Sequence, residues 1–445
     1  MGGRFGRFSD GFADAFRSGN HSVVETAQQY LCGLMQSEKR NMERMVEAVP
    51  DSDYQVLQNF LTHSSWDYRP VMDRVARNAD ALLGGESGTG LYLDESAFAK
   101  KGDQSVGVAR QWNGRLGKQD NCQVGVFGAL GRGDRVSLID ARLYLPKEWT
   151  EDPRRCERAA VPRVEQIHRT KLELAQEIIR HARASGMRFE WVGMDGAYGH
   201  SLELLQSVQG QGETFIADIH SDQHIYPTDP VPYLPPQHLG RPRIYYKSDA
   251  QPIEVRKWVK KQPASLWRRK TLRHTTKGDL VVEVLHQRVW LWDKHGHNAH
   301  CWHLIVRREL NSPGTLKYSL CNAPAQTSVR KLAQMQAQRF WIERAFQDAK
   351  SHIGMAQYQA RQWPSWHRHM ALVMMAMLFM LQERLEHSDT HPLLSCYDIQ
   401  ILLATTLPDR RTSQEEVLRQ MDLRHQQRRA LIEAANPDSS RKSLI

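Results

Sequence analysis

The chain has 445 residues, 40% of them hydrophobic and 25% charged, values that exclude wholesale disorder and leave room for one large domain or roughly two to three ordinary ones. Lys and Arg number 60 against 50 Asp and Glu, and the net charge of +10 favours a polyanionic partner, most simply nucleic acid. The six cysteines form no CxxC pair, so neither a zinc ribbon nor a disulfide framework is indicated.

Residues 1 to about 20 are rich in Gly and Phe without clear periodicity and read as a loose arm. From His21 to Leu83 the pattern is helical, with Val24, Ala27, Leu31 and Leu34 at three- and four-residue steps, ending at the Gly84-Gly85 turn signal. The period then changes. LYLDES, NCQVGVFGAL and RVSLIDARLYLP read as three strands, the last two joined by a GRGD turn. A helix over Arg163–Ala184, a strand in FEWVGMD, a helix around Ser201–Val208 and a strand in TFIADIH follow. Three strands in a meander and then alternating helix and strand define a mixed α/β fold. From Ser221 to Asn322 the chain is first Pro-rich (Pro227, Pro230, Pro232, Pro235, Pro236), then basic, then strand-like, and reads as a β-rich insertion. Ser328–Ile353 returns to helix. The most apolar run, Met370–Leu381, is shorter than the roughly 20 residues that span a bilayer and reads as a buried helix. The tail from Pro408 is helical and basic. With no apolar run of signal-peptide length at the N-terminus, a cytoplasmic location is expected.

Three stretches carry chemistry. In LYLDESAFAKKG, Leu91–Gly102, Asp94 ends an apolar run beside lysines. In FEWVGMDGAYG, Asp195 ends a second such run and is followed by Gly196. Taken alone, each reads first as a cap after a strand. On neighbouring strands about 4.8 Å apart, however, both carboxylates would reach one divalent ion, which keeps both charged. In RFWIERAFQDAK, the residues Arg339, Glu343, Phe346 and Lys350 share one helical stripe, so a carboxylate for a metal lies between two cations suited to phosphate oxygens. The segment Glu254–Gly278 interleaves Trp258 and Trp267 with Lys260, Lys261, Arg268, Arg269, Lys270 and other cations, a composition suited to phosphates and unstacked bases. It also fits a basic β-surface whose tryptophans pack inward. HGHNAHCWH, residues 295–303, matches no familiar zinc-finger spacing.

At LYLDESAFAKKGDQSVGVARQWNGRLGKQDNCQVGV, RLYLPKEW, FEWVGMDGAYG and FWIERAFQDAKSHIG the chain resembles bacterial insertion-sequence transposases of the DDE type, in the IS-four superfamily and most like its IS-seven-oh-one branch. The resemblance runs over roughly residues 22–390. It implies a ribonuclease-H-like fold in which Asp94, Asp195 and Glu343 are the catalytic acids and metal ligands, with Mg2+ as cofactor and Mn2+ able to substitute. The superfamily's Tyr-x2-Arg-x3-Glu-x6-Lys signature places Arg339 and Lys350 on DNA; its tyrosine position is Gln336 here. Trp258, Trp267, Trp290, Trp292 and Trp302 are candidates for receiving a flipped base.

The expected organisation is an N-terminal helical DNA-binding domain (1–84), a catalytic core (85–220 and 326–390) interrupted by the β-rich insertion (221–325), and a basic helical C-terminal region (391–445). The expected activity is cleavage at terminal inverted repeats and joining of the 3′ ends to target DNA by two-metal phosphoryl transfer. Expected partners are the element's ends, target DNA and a second copy in a synaptic homodimer, with association to the nucleoid when DNA is bound. A metal-dependent nuclease without strand transfer, or a DNA-binding protein that has lost catalysis, is the alternative.

Overall fold

The computed structural model describes the chain except for residues 115, 236–244, 276–277, 295, 311, 412 and 436–445. Arg115, Pro236, Thr276, Lys277 and His295, each in a stretch named above, therefore lie outside the described residues, as does the end of the basic tail. In chain order the longer helices are α1 (Gly2–Asp10), α2 (Val24–Gln36), α3 (Met42–Ala48), α4 (Tyr54–Thr62), α5 (Tyr68–Leu83), α6 (Lys171–Ala184), α7 (Leu202–Gly210), α8 (Val329–Gln338), α9 (Phe340–His352), α10 (Trp363–Glu386), α11 (Cys396–Thr406) and α12 (Gln414–Ala435). The strands of the large sheet are β1 (Gly90–Ala99), β2 (Ala109–Asn113), β3 (Lys118–Arg132), β4 (Arg135–Leu143), β5 (Trp191–Met194), β6 (Phe215–Ile219), β7 (Arg268–Thr275), β8 (Gly278–Leu291), β9 (His300–Glu309) and β10 (Ser312–Cys321).

Contacts divide the chain into a central unit, residues 72–347, and a terminal unit, residues 1–71 with 348–445. The central unit is built on a ten-stranded mixed sheet in the order β7-β8-β9-β10-β6-β5-β1-β3-β2, with β4 also paired to β3. β1 with β5 and β5 with β6 are parallel pairs, and the remaining pairs are antiparallel. The mixed α/β class is therefore as the sequence indicates. The strands of the β-rich segment extend the same sheet, because β10 pairs with β6 along Tyr318–Cys321.

Local chemistry explains two of the element limits. The GRGD turn closes at Gly133, whose φ of +60° favours glycine. The helix expected from Arg163 is a short 3-10 turn there, and α6 begins only at Lys171. Thr170 supplies the reason: its hydroxyl accepts from the Glu173 N–H while the Glu173 carboxylate accepts from the Thr170 N–H, a capping box. α6 buries Leu174, Ala175, Ile178 and Ile179. It approaches β3 so closely that a Cβ at Gly128 would stand 2.6 Å from the Ile178 side chain. β2, which the sequence reading missed, is a short strand with Arg110 exposed between buried ends.

In the terminal unit, α10 is buried along nearly its whole length, as an all-round apolar helix must be. Helices α2 and α4 pack on it. Several of its buried polar groups find partners: Arg368 donates to the carbonyls of Trp66 and Leu61, and His369 Nδ1 lies 2.8 Å from the Tyr30 hydroxyl. Residues 1–20 are not a loose arm. α1 sets Phe5 and Phe8 against Phe379 of α10, with ring centroids 4.9 and 5.4 Å apart, and Arg4 pairs with Glu383 at 2.6 Å. The glycines between the phenylalanines hid this amphipathic face. Among the described residues no helix is long and apolar enough to cross a membrane.

Candidate active site

Pairing register builds the site. β1 meets β5 with Leu93 opposite Met194, and β5 meets β6 with Met194 opposite Ala217. The next residues in each chain are Asp94, Asp195 and Asp218, so three aspartates stand in one row across three adjacent parallel strands. Asp94 lies inside β1, which runs on to Ala99 against β3, at the point where the parallel pairing with β5 stops; open α/β sheets gather their sites where parallel strands finish. Leu91, Tyr92, Leu93, Val192 and Met194 are fully buried, which fixes the register beneath the acids.

Asp195 is both cap and site residue. Its Oδ1 accepts from the N–H groups of Ala197 and Tyr198 at 3.0 and 3.3 Å, starting the short helix Gly196–Gly199. That helix sits tightly on β6: a Cβ at Gly199 would lie 1.9 Å from the Asp218 carbonyl oxygen, so only glycine fits. Asp94 Oδ1 accepts from the Glu95 N–H at 2.7 Å.

Arg339 joins the row of acids to α9. Its Nε donates to Asp218 Oδ2 at 2.9 Å, its Nη2 donates to Glu343 Oε1 at 2.8 Å, and its Nη1 lies 3.5 Å from Asp94 Oδ2. The guanidinium is only 13% exposed, whereas Glu343 is 48% exposed. Arg339 occupies the single residue between α8 and α9 and keeps helical dihedrals, so Glu343 stands one turn further on. Phe346 anchors the same helix by packing edge-on against Phe127 of β3 at 5.3 Å. Lys350, seven residues beyond Glu343 in α9, is half-buried and belongs to the terminal unit.

The electrostatics are those of crowded acids in a poorly hydrated place. Burial, then the neighbouring Asp195, pushes the Asp94 carboxyl up to about 8. Burial also raises Asp195, against the pull of Arg339 and two backbone N–H bonds. For Arg339, burial opposes the charge, yet Asp218, Asp94, Glu343 and Asp195 together hold its pKa above the usual range. On the next residue of β1, Glu95 is raised by burial and partly offset by Lys171, whose Nζ lies 2.5 Å away.

The donor set suits a hard divalent cation, which takes carboxylate oxygens. Asp195 Oδ2 and Glu343 Oε2 carry no hydrogen bond among the described residues. Burial first, and Asp195 after it, makes the charged form of Asp94 costly without a further cation. As placed, no three Asp, Glu, His or Cys side chains among the described residues converge into a metal centre. Arg339, in contact with Asp94, Asp218 and Glu343, supplies the positive charge there.

Sequence reading missed Asp218 and its support. Ser319 of β10, directly across from Asp218, donates its hydroxyl to Asp218 Oδ1 at 2.5 Å and accepts from the Gln336 amide at 2.7 Å. The signal was present in TFIADIH, a third apolar run ending near an acid, but only register puts it in line with the other two.

The basic segment divides. Trp258 lies in the short helix Val255–Lys260 and is 8% exposed, so it offers little ring face to a base. Trp292 and Trp302 are also buried, with indole N–H groups donated to Gly296 and Gln209. Trp267 and Trp290 are half-buried, and the Arg308 guanidinium covers the Trp267 ring at 4.1 Å. Lys260, Lys261, Arg268 and Arg269 are exposed, Lys270 is half-buried, and none of the five has an ion-pair partner among the described residues. His303, from the histidine run, is a buried sheet residue bonded to His286 at 2.8 Å.

An acidic row across three parallel strands, tied through Arg339 to a helix-borne glutamate, gathers carboxylates of the kind that metal-dependent phosphoryl transfer uses. The chain belongs to the DDE superfamily endonucleases, whose family model matches residues 11–279. The matched span carries Asp94 and Asp195 and ends before Glu343. A probable transposase for insertion sequence element IS701 from Microchaete diplosiphon is 24% identical over 329 residues, covering 73% of this chain and 74% of the relative. The resemblance read from the sequence is borne out at the level of the family.

Proposed function

We propose that the chain is a DNA transposase that cleaves at the terminal inverted repeats of an insertion sequence and joins the 3′ ends to target DNA. The observation that carries this reading is the in-register row of Asp94 and Asp195 on adjacent parallel strands, tied to Glu343 through Arg339. The strand order β4-β3-β1-β5-β6, a meander extended by two parallel strands, supports a ribonuclease-H-like core. The name of the IS701 relative supports insertion-sequence ends as the substrate.

Asp94, Asp195 and Glu343 would hold Mg2+, with Mn2+ able to substitute. When bound, such ions activate an attacking oxygen and stabilise the leaving one in an in-line displacement at phosphorus. The chain's own residues do the rest. Arg339 offers a planar guanidinium to phosphate oxygens once the acids beside it are otherwise compensated. The unpaired cations of residues 260–270 hold the DNA backbone, and Trp267 gives a partly open ring beside them. Lys350 is assigned to the DNA ends, and a homodimer to the synaptic complex.

Asp94→Asn tests the assignment. It should lower cleavage of a labelled end duplex by about a thousand-fold or more while leaving end binding largely intact. Full cleavage by that variant would sink the reading. The family's description as endonucleases favours a second reading, cleavage without joining. Precut ends offered with target DNA separate the two, since only a transposase yields strand-transfer product.

A further inference from the structure

The row of acids contains one member too many for the proposed triad, and the bonding of Asp218 says what it is for. Both its oxygens are engaged, Oδ1 by the Ser319 hydroxyl at 2.5 Å and Oδ2 by Arg339 Nε at 2.9 Å. Asp195 and Glu343 each keep one oxygen without a hydrogen bond among the described residues. A carboxylate with both oxygens committed to protein donors is a poor metal ligand and a good anchor. The anchor is itself held. Ser319 is fully buried, and the Gln336 amide, 4% exposed, donates to its hydroxyl at 2.7 Å. Gln336 stands where the superfamily signature has tyrosine, so in this chain that position orients the anchor through an amide.

We infer that Asp218, aimed by Ser319 and Gln336, is a positioning residue that shares Arg339 with the acidic site and sets how readily Arg339 yields to a divalent cation. This rests on the metal reading given above. Arg339 touches the site with Nη1 and Nη2, which face Asp94 and Glu343, while Nε faces Asp218. A cation taken up by Asp94 and Glu343 competes with the two Nη contacts but not with the Nε contact. With its Nε still on Asp218, the released fork stays beside the site with donors facing a phosphate. Metal uptake and DNA engagement are thereby coupled through one side chain, and coupling of this kind acts in both directions. Without the charge of Asp218, Arg339 is left to Asp94 and Glu343 alone and competes harder with the metal.

The test is a double-mutant cycle on Mn2+ binding by the full-length protein, measured by calorimetry without DNA. Asp218→Asn should weaken Mn2+ by about five-fold, Ser319→Ala by about two-fold, and Arg339→Gln should strengthen it. In the Arg339→Gln background, Asp218→Asn and Ser319→Ala should each change affinity by less than about two-fold. Equal effects of Asp218→Asn in both backgrounds would mean that Asp218 acts only through its field, and would overturn the inference. So would unchanged affinity in both Asp218→Asn and Ser319→Ala. The uncharged Ser319→Ala variant keeps the test decisive if Asp218→Asn folds poorly. Binding of an end duplex supplies a second readout: Mn2+ should tighten it in the wild type and cease to do so in Arg339→Gln. If the wild type shows no Mn2+ binding that Asp94→Asn removes, the metal reading itself fails. If that binding is present and the cycle is additive, only the role of Asp218 fails.

Discussion

At Gly199 the missing side chain does the structural work. A Cβ there would meet the Asp218 carbonyl oxygen at 1.9 Å, backbone against backbone, with no flexible tip to move aside. Gly199→Ala should therefore push the Gly196–Gly199 helix off β6, costing about 1–3 kcal/mol by chemical denaturation. It should also lower cleavage by more than the loss of stability explains, because that helix is capped by Asp195. A neutral result in both assays would mean that the backbone shifts freely at this point. The same residue scale shows what a sequence can and cannot disclose. Asp94 and Asp195 were legible because each closes an apolar run. Asp218 was not, because its meaning depends on Met194 standing opposite Ala217, a register that no local pattern encodes. Gln336 was noticed as a departure from a motif, but its bond to Ser319 joins a helix to a strand and has no signature in either.

Among the elements, β8 and β9 hold a pair of histidines that respond to acid. His286 Nε2 and His303 Nδ1 are 2.8 Å apart, and His303 Nε2 faces the carbonyls of Ala323 and Pro324 at 3.1 Å. Burial, then His303 and the arginines Arg288 and Arg268, pushes His286 down to about 4. An unfolded histidine titrates near 6.5, so between about 6.5 and 4 the unfolded chain binds the extra proton and the native state does not. The sign follows: this pair contributes stability above pH 6.5 that is lost as the pH falls through 4. His286→Gln, which keeps an N–H for His303, should lose less melting temperature than the wild type between pH 7 and pH 4.5. Parallel losses would show that other groups carry the acid sensitivity. Runs rich in Val, Leu, Ile and Trp made β8 and β9 readable beforehand. The short strand β2 has only five residues, and α1 hides its apolar face among glycines, so neither declared itself. The Glu254–Gly278 run was legible as basic but not as helix followed by strand, so the inward turn of Trp258 could not be foreseen.

At the scale of the whole molecule, residues 1–71 and 348–445 make one unit around α10, and residues 72–347 make the other. Linear reading finds segments in order and has no means of telling that the first of them shares a core with the last. Phe5 tests this closure. It is 2% exposed and meets Phe379 edge-on, so Phe5→Ala should cost about 3–5 kcal/mol in the unit that holds α10. A loss below about 1 kcal/mol on denaturation would mean that α1 is an accessory.

That closure also orders events on the ribosome. Helices α2 and α4, which pack on α10, emerge early, and α10, whose His369 meets Tyr30, is made more than three hundred residues later. At about 5–20 residues per second the wait lasts tens of seconds, and the sheet bearing the acids is complete before it ends. The nascent chain thus carries the sheet with the row of acids while its first helices still lack α10, a period in which their apolar faces are open to chaperones.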